Sequence, residues 1–237
     1  MILYVQIKKF PHNMGQMKSK NGGMLSISYD SYYADETFTK MENLLKELTE
    51  KPEERDILNR WEHTMNKRFR CSLERWRAFG WAIRVLENWG KHRIVLAFAL
   101  RQVELAHELE DTNEFPQGVD VNAAILLADS YLNLAKVNLI KSQYKSCEKY
   151  SSKCLSLVST IRRVYTDGLK LSGHAYLYKA NANLGLSNFK QTLEDLERSL
   201  SVANDQDDKQ LECLACGTMS SLYIQLKDYE KGNFFAV

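Results

Sequence analysis

The sequence predicts an all-α fold, a solenoid of stacked helix pairs behind a flexible amino-terminal tail. Only three prolines and eleven glycines interrupt its 237 residues, so long helices with short connections are the economical reading. From about residue 40 onward Leu, Ala, Lys, Glu and Ser dominate. In that region a bulky residue, a small residue, a turn and an aromatic recur in the same order, twice in full and twice in weaker or incomplete copies.

The elements follow in order. Residues 1–35 mix Asn, Gly, Ser, Lys and Tyr without helical or alternating periodicity and read as a flexible tail. From Glu36, Phe38, Met41, Leu44, Leu45 and Leu48 keep the three-or-four spacing of an amphipathic helix, which Pro52 stops or restarts. A second helix is expected from Glu53 to about Phe69, with Ile57, Leu58, Trp61 and Met65 on one face. These two make an amino-terminal unit over 36–71, and the repeats occupy 72–237.

Tyr131, Leu134 and Ala135, followed by Ser142 and Tyr144, fit the layout of a tetratricopeptide repeat, in which a bulky residue nests beside a small one and an aromatic opens the second helix. Tyr176, Ala180, Ser187 and Phe189 repeat it, with Lys179 where a Leu is usual. Phe79, Gly90 and His92 form a weaker first copy, and Cys216, Ser220, Lys227 and Tyr229 begin a fourth. The post-turn residues His92, Tyr144, Phe189 and Tyr229 are 52, 45 and 40 residues apart, longer than the usual period of about 34. Longer connections take up the excess, and Asp111 to Asp120, with Pro116 and Gly118, is one. The fourth pair reaches Val237 about one turn into its second helix, so the sequence reads as part of a longer chain.

Composition narrows the function classes. The 32 basic and 30 acidic residues nearly cancel, too small an excess to imply a nucleic-acid partner. Arg55, Arg60, Lys67, Arg68, Arg70, Arg75, Arg77 and Arg84 interleave with Trp61, Phe69 and Trp76, a pattern that fits either a base-stacking surface or the solvated face of a helix pair with an aromatic core. Five cysteines in no disulfide-like spacing favour a reducing cytoplasm, and no apolar run approaches the roughly 18 residues of a membrane-spanning helix. The apolar start at Met1 to Val5 lacks the preceding basic region of a signal peptide.

Chemistry-bearing constellations are sparse. Cys213-Leu-Ala-Cys216 is a C-x-x-C without the second ligand pair that a structural zinc needs. With Cys216 at the bulky position of a repeat helix, both thiols are expected to be small buried side chains. His12, His63, His92, His107 and His174 show no metal-protease spacing, and no nucleophile elbow or phosphate-cradling glycine loop occurs. The pattern points to binding, with no catalytic residue, metal or cofactor. On the first helix of each pair, the residues left to face the concave side are Leu132, Lys136 and Leu139, then Leu177, Asn181 and Leu184, extended by Ile224. Both sets follow i, i+4, i+7 and form one helical stripe, which is either core or the lining of a groove that takes an amphipathic helix.

Specific segments resemble the rapsyn family: Phe98 to Asp111 (FALRQVELAHELED), Asp129 to Ala135 (DSYLNLA), Asn183 to Phe189 (NLGLSNF), and above all Val202 to Lys231 (VANDQDDKQLECLACGTMSSLYIQLKDYEK). The resemblance covers residues 75–237 and fades toward the amino terminus. It implies a scaffold that clusters nicotinic acetylcholine receptors on the inner face of the postsynaptic membrane, binds a receptor cytoplasmic-loop helix and self-associates. It further implies that a coiled coil and a RING-type zinc domain follow the repeats, and any ligase activity would belong to that RING. Rapsyn-like proteins open with Met-Gly-Gln and are myristoylated. Here Met14 to Ser19 (MGQMKS) matches that opening, with Gly15 as acceptor if Met14 is the start. A repeat adaptor that couples polarity proteins to G-protein subunits is the alternative within the same fold.

Overall fold

A computed structural model describes residues 35–50, 54–112, 123–161 and 166–236. The expected tail, with Gly15, and the connection after Thr112 lie outside these residues. Among the described residues there are ten helices and no strand: α1 (Asp35–Thr49), α2 (Glu54–Arg68), α3 (Ser72–Asn88), α4 (His92–Thr112), α5 (Ala123–Ile140), α6 (Tyr144–Thr160), α7 (Thr166–Gly185), α8 (Phe189–Asp205), α9 (Lys209–Gln225) and α10 (Tyr229–Phe234). From α3 onward they pair in chain order, and the first helices also touch one another, α5 against α7 and α7 against α9. That is the all-α, tetratricopeptide-type solenoid the periodicity predicts.

Every turn from α3 onward for which both flanking helices are contiguous uses one device. Gly90, Ser142, Ser187, Asp207 and Lys227 adopt positive φ, between 50 and 70°. In each case the residue after it donates its N–H to the carbonyl five positions back, as Lys91 does to Leu86 (2.9 Å) and Asn188 to Asn183 (2.8 Å). The positive-φ residue itself donates to the carbonyl three back. This paired cap satisfies the last helical carbonyls and reverses the chain within three residues. Asp208 and Asp228 then cap the next helix, accepting from the backbone N–H of Leu211 (3.0 Å) and Lys231 (3.2 Å).

Two close approaches set the helix spacing. A Cβ on Gly185 would fall 2.5 Å from the Tyr144 ring, and one on Gly173 would fall 2.5 Å from Leu211. Glycine at those positions lets α7 lie against α6 and α9, and Ser199 of α8 donates to the Gly173 carbonyl at 3.0 Å.

The largest apolar cluster runs without a break from Met41 in α1 to Ala175 in α7, and a second joins α7, α8 and α9. Trp61 and Trp76 are fully buried, so they are core and not a base-stacking surface. Trp76 donates to Ser130 Oγ at 2.8 Å, and Asn133 donates to Gln102 at 2.9 Å, tying the first pair to the second through polar contacts inside the core. One sequence expectation needs correction: α5 is 18 residues of mean hydropathy 1.3, long and apolar enough to cross a membrane. Most of it is buried within the stack, with apolar neighbours on several sides, which accounts for its composition as a core helix.

Candidate functional site, the inner face of the repeats

The first helices α5, α7 and α9 carry the residues expected to face the groove, and the structure divides them. Leu132 belongs to the large core cluster, and Leu177 and Leu184 to the second, all three buried. The expected exposed leucine stripe is corrected at these positions. The first helices pack against each other as well as against their partners, so an i, i+4, i+7 stripe on α5 or α7 turns into the seam between repeats. Leu139 is half-buried beside Tyr144 and Tyr178. Ile224 is 50% exposed and Leu214, on the same helix, 47%.

The polar members of the stripe are engaged between repeats. Lys136 on α5 reaches Glu87 on α3 at 2.6 Å, the lysine 40% exposed and the carboxylate nearly buried. Burial pulls the Lys136 ammonium down, but Tyr178 and Glu87 outweigh it and hold it above its ordinary value. Asn181 on α7 donates to Thr218 on α9 at 3.1 Å and to its own Leu177 carbonyl at 2.9 Å. Glu87 Oε1 has no hydrogen-bond partner although it is buried. Sequence reasoning missed Glu87 and Thr218 as inner-face partners, since their positions come from the register between repeats 49 and 37 residues apart. His174, on α7 beside Tyr178, is held by burial below its ordinary value.

A buried ionic node fixes the third pair. Asp195 on α8 is fully buried and accepts from Lys179 (3.3 Å), Asn183 (3.1 Å) and Gln191 (3.4 Å). Lys179, the departure from the usual repeat leucine, is thereby compensated by a carboxylate on the partner helix. Where the amino-terminal helices meet the first repeat pair, Arg101 of α4 bonds Glu62 of α2 at 2.7 Å and also Glu104 and Glu108. Burial lowers its guanidinium, yet Glu62 and Glu108 raise it further.

The cysteines also divide differently from expectation. Cys213 is exposed and Cys216 half-buried on α9, so the C-x-x-C is not the buried pair; Cys147 and Cys154 on α6 fill that role. The repeat phase explains this, because Ala215 and Met219 take the core side of α9. Burial pushes the Cys147 and Cys154 thiols up to about 12. Maleimide at neutral pH is therefore expected to modify Cys213 first in the folded chain, with Cys147 and Cys154 reacting only on denaturation. Tryptic mapping of the modified sites checks this, and early labelling of Cys147 or Cys154 would contradict the buried packing. Among the described residues no group of three or more His, Cys, Asp or Glu side chains is placed to hold a metal ion.

Paired helices, repeated caps and a first-helix face bridged from repeat to repeat define a tetratricopeptide-type repeat protein. Residues 33–113 match the family described as the rapsyn N-terminal myristoylation and linker region. The chain is 37% identical over 161 residues to the 43 kDa receptor-associated protein of the synapse from Gallus gallus, and 35% identical over 161 residues to that from Tetronarce californica. Each alignment covers 68% of this chain and 35% of the relative, so the chain spans about a third of the length of the curated relatives it matches. Among solved structures, the apo form of RapI superposes with a TM-score of 0.46 at 14% identity, over 85% of this chain and 62% of that one. The chain is thus rapsyn-like across two thirds of its length.

Proposed function

We propose that this chain is the repeat portion of a receptor-associated scaffold of the synapse, attached to the inner face of the postsynaptic membrane, that captures the amphipathic cytoplasmic-loop helix of a nicotinic acetylcholine receptor and clusters it by self-association. The similarity to two receptor-associated proteins of the synapse carries this reading. The inner face supports it in outline: exposed or half-exposed apolar side chains at Leu139, Leu214 and Ile224 alternate with Lys136 and Asn181, as an amphipathic ligand helix requires. Leu132, Leu177 and Leu184 act from beneath, fixing the spacing of α5, α7 and α9. Weak capture by one solenoid becomes firm when several solenoids share an array. A myristoyl group at Gly15, in a product starting at Met14, would supply the membrane attachment.

The test separates contact from packing. Fluorescence anisotropy with a labelled receptor-loop helix is expected to show at least about tenfold weaker binding for Ile224→Asp and Leu139→Asp, because a charge would face the ligand's apolar stripe without a partner. For Ile224→Asp the melting temperature should stay near that of the parent. Leu184→Asp should instead unfold the third pair, since it buries an unpaired carboxylate. Unchanged affinity in a folded Ile224→Asp chain would refute the inner face as the receptor site.

A further inference from the structure

The second helix of the second pair presents Lys145, Lys149 and Lys153 at i, i+4 and i+8, all exposed. They make one row about 12 Å long on the side of α6 opposite the buried Cys147, Ser151 and Cys154. Lys141, partly buried, continues the row one step upstream in the turn, and exposed Ser156 and Ser159 follow toward the carboxyl end. Among the described residues none of the three lysines has a carboxylate at ion-pair distance. Other lysines of the fold do: Lys46 with Glu42, Lys136 with Glu87, Lys179 with Asp195, Lys209 with Glu212 and Lys231 with Asp228. Glu148 is the one acidic residue of α6, and it lines a crevice with Asn183, Asn188 and Phe189. Lys153 lies over the Tyr131 ring at 4.8 Å with its ammonium 3.5 Å from the hydroxyl, and Lys149 lies beside Tyr150 at 5.9 Å. Both contacts hold the stems down while the residues stay exposed.

We propose that this α6 lysine row is a membrane-facing surface that binds anionic lipid headgroups. The inference rests on the reading of the chain as a membrane-attached scaffold and names the contact that such attachment needs. One acyl chain gives only marginal, reversible membrane binding, so a stable peripheral protein requires a second signal, and a basic surface is one of the two usual kinds. The row has the character of a contact with a diffuse field of charge. Its exposed face offers lysine and serine, with no Trp, Arg or large apolar anchor of the kind that dominates protein interfaces. Lysine near an anionic leaflet gains affinity by number and proximity and needs no shaped pocket.

Sedimentation of the 237-residue chain with phosphatidylcholine vesicles, with and without phosphatidylserine, tests the assignment. Binding should require phosphatidylserine and weaken as salt rises. Each lysine is expected to contribute about fivefold, so Lys145→Gln/Lys149→Gln/Lys153→Gln should lose roughly a hundredfold. The double variant Lys145→Gln/Lys149→Gln spares the Tyr131 contact and should lose about 25-fold. The control Lys67→Gln/Lys170→Gln/Lys227→Gln removes the same charge from exposed positions elsewhere and should lose far less. Equal losses in the two triple variants, or binding indifferent to phosphatidylserine, would overturn the proposal. Vesicle binding retained by the α6 triple while its capture of polyglutamate is lost would assign the row to an acidic protein instead. Receptor-helix binding by the α6 triple should be unchanged, which separates this surface from the inner face; its loss together with vesicle binding would make the row a receptor contact and overturn the lipid assignment.

Discussion

Asp195→Ala is expected to destabilise the chain by about 3 to 5 kcal/mol, the largest effect of any single polar substitution here. The carboxylate is fully buried and takes bonds from Lys179, Asn183 and Gln191, so its removal strands the Lys179 ammonium in a site only 17% exposed. Lys179→Leu alone should also be costly, because Asp195 would then keep only two amide donors for a buried charge. The double variant Lys179→Leu/Asp195→Leu restores the apolar residue that the repeat layout usually carries and removes both charges together. It should recover most or all of the parent stability, since well-packed apolar replacements of buried ion pairs are often neutral or stabilising. Urea unfolding of the four proteins measures the coupling between the sites. Additive losses in the double variant would show that the two groups do not act as a pair.

The same pair marks how far the sequence could be read. The lysine at position 179 stands out as a break in the repeat, but its partner lies 16 residues away on another helix and is chosen by the helix-pair register, which no local pattern encodes. Helices and turns were legible because each is a local event. The expected turns at Gly90, Ser142, Ser187 and Lys227 all adopt positive φ, and α1 and α2 lie within two residues of the expected bounds. The same cap at Asp207 was not legible because it joins α8 to α9, between pairs, where the repeat layout that marks the turn within each pair has no position. The site was legible only in part. A stripe at i, i+4, i+7 looks alike whether it lines a groove or a seam, and the contact of α5 with α7 and of α7 with α9 sends Leu132, Leu177 and Leu184 inward while Ile224 on the last first-helix stays exposed.

Trp61→Ala should cost about 3 to 5 kcal/mol and lower the unfolding of the whole chain as one transition. Trp61 of α2 is fully buried against three rings of the first repeat pair: it stacks on Trp81 at 6.3 Å, meets Phe79 edge-on at 6.5 Å and lies tilted to Phe98 at 5.9 Å. The Glu62 to Arg101 ion pair fastens the same helix to α4 beside that cluster. Helices α1 and α2 therefore cover the apolar end of the first pair, which would otherwise face solvent as an unpaired repeat. Truncation to alanine opens a cavity among rings that cannot collapse into it without moving α3 or α4. Trp61→Phe keeps a ring in place and orphans no acceptor, because the indole N–H has no hydrogen-bond partner, so it should cost much less. Differential scanning calorimetry distinguishes the outcomes. A single transition shifted downward in Trp61→Ala means that α1 and α2 fold with the solenoid, whereas an unshifted main transition with a separate low-temperature one would make them an independent unit. Hydrogen exchange in α3 offers the local counterpart, with protection at Phe79 and Trp81 expected to fall in Trp61→Ala and to persist in Trp61→Phe.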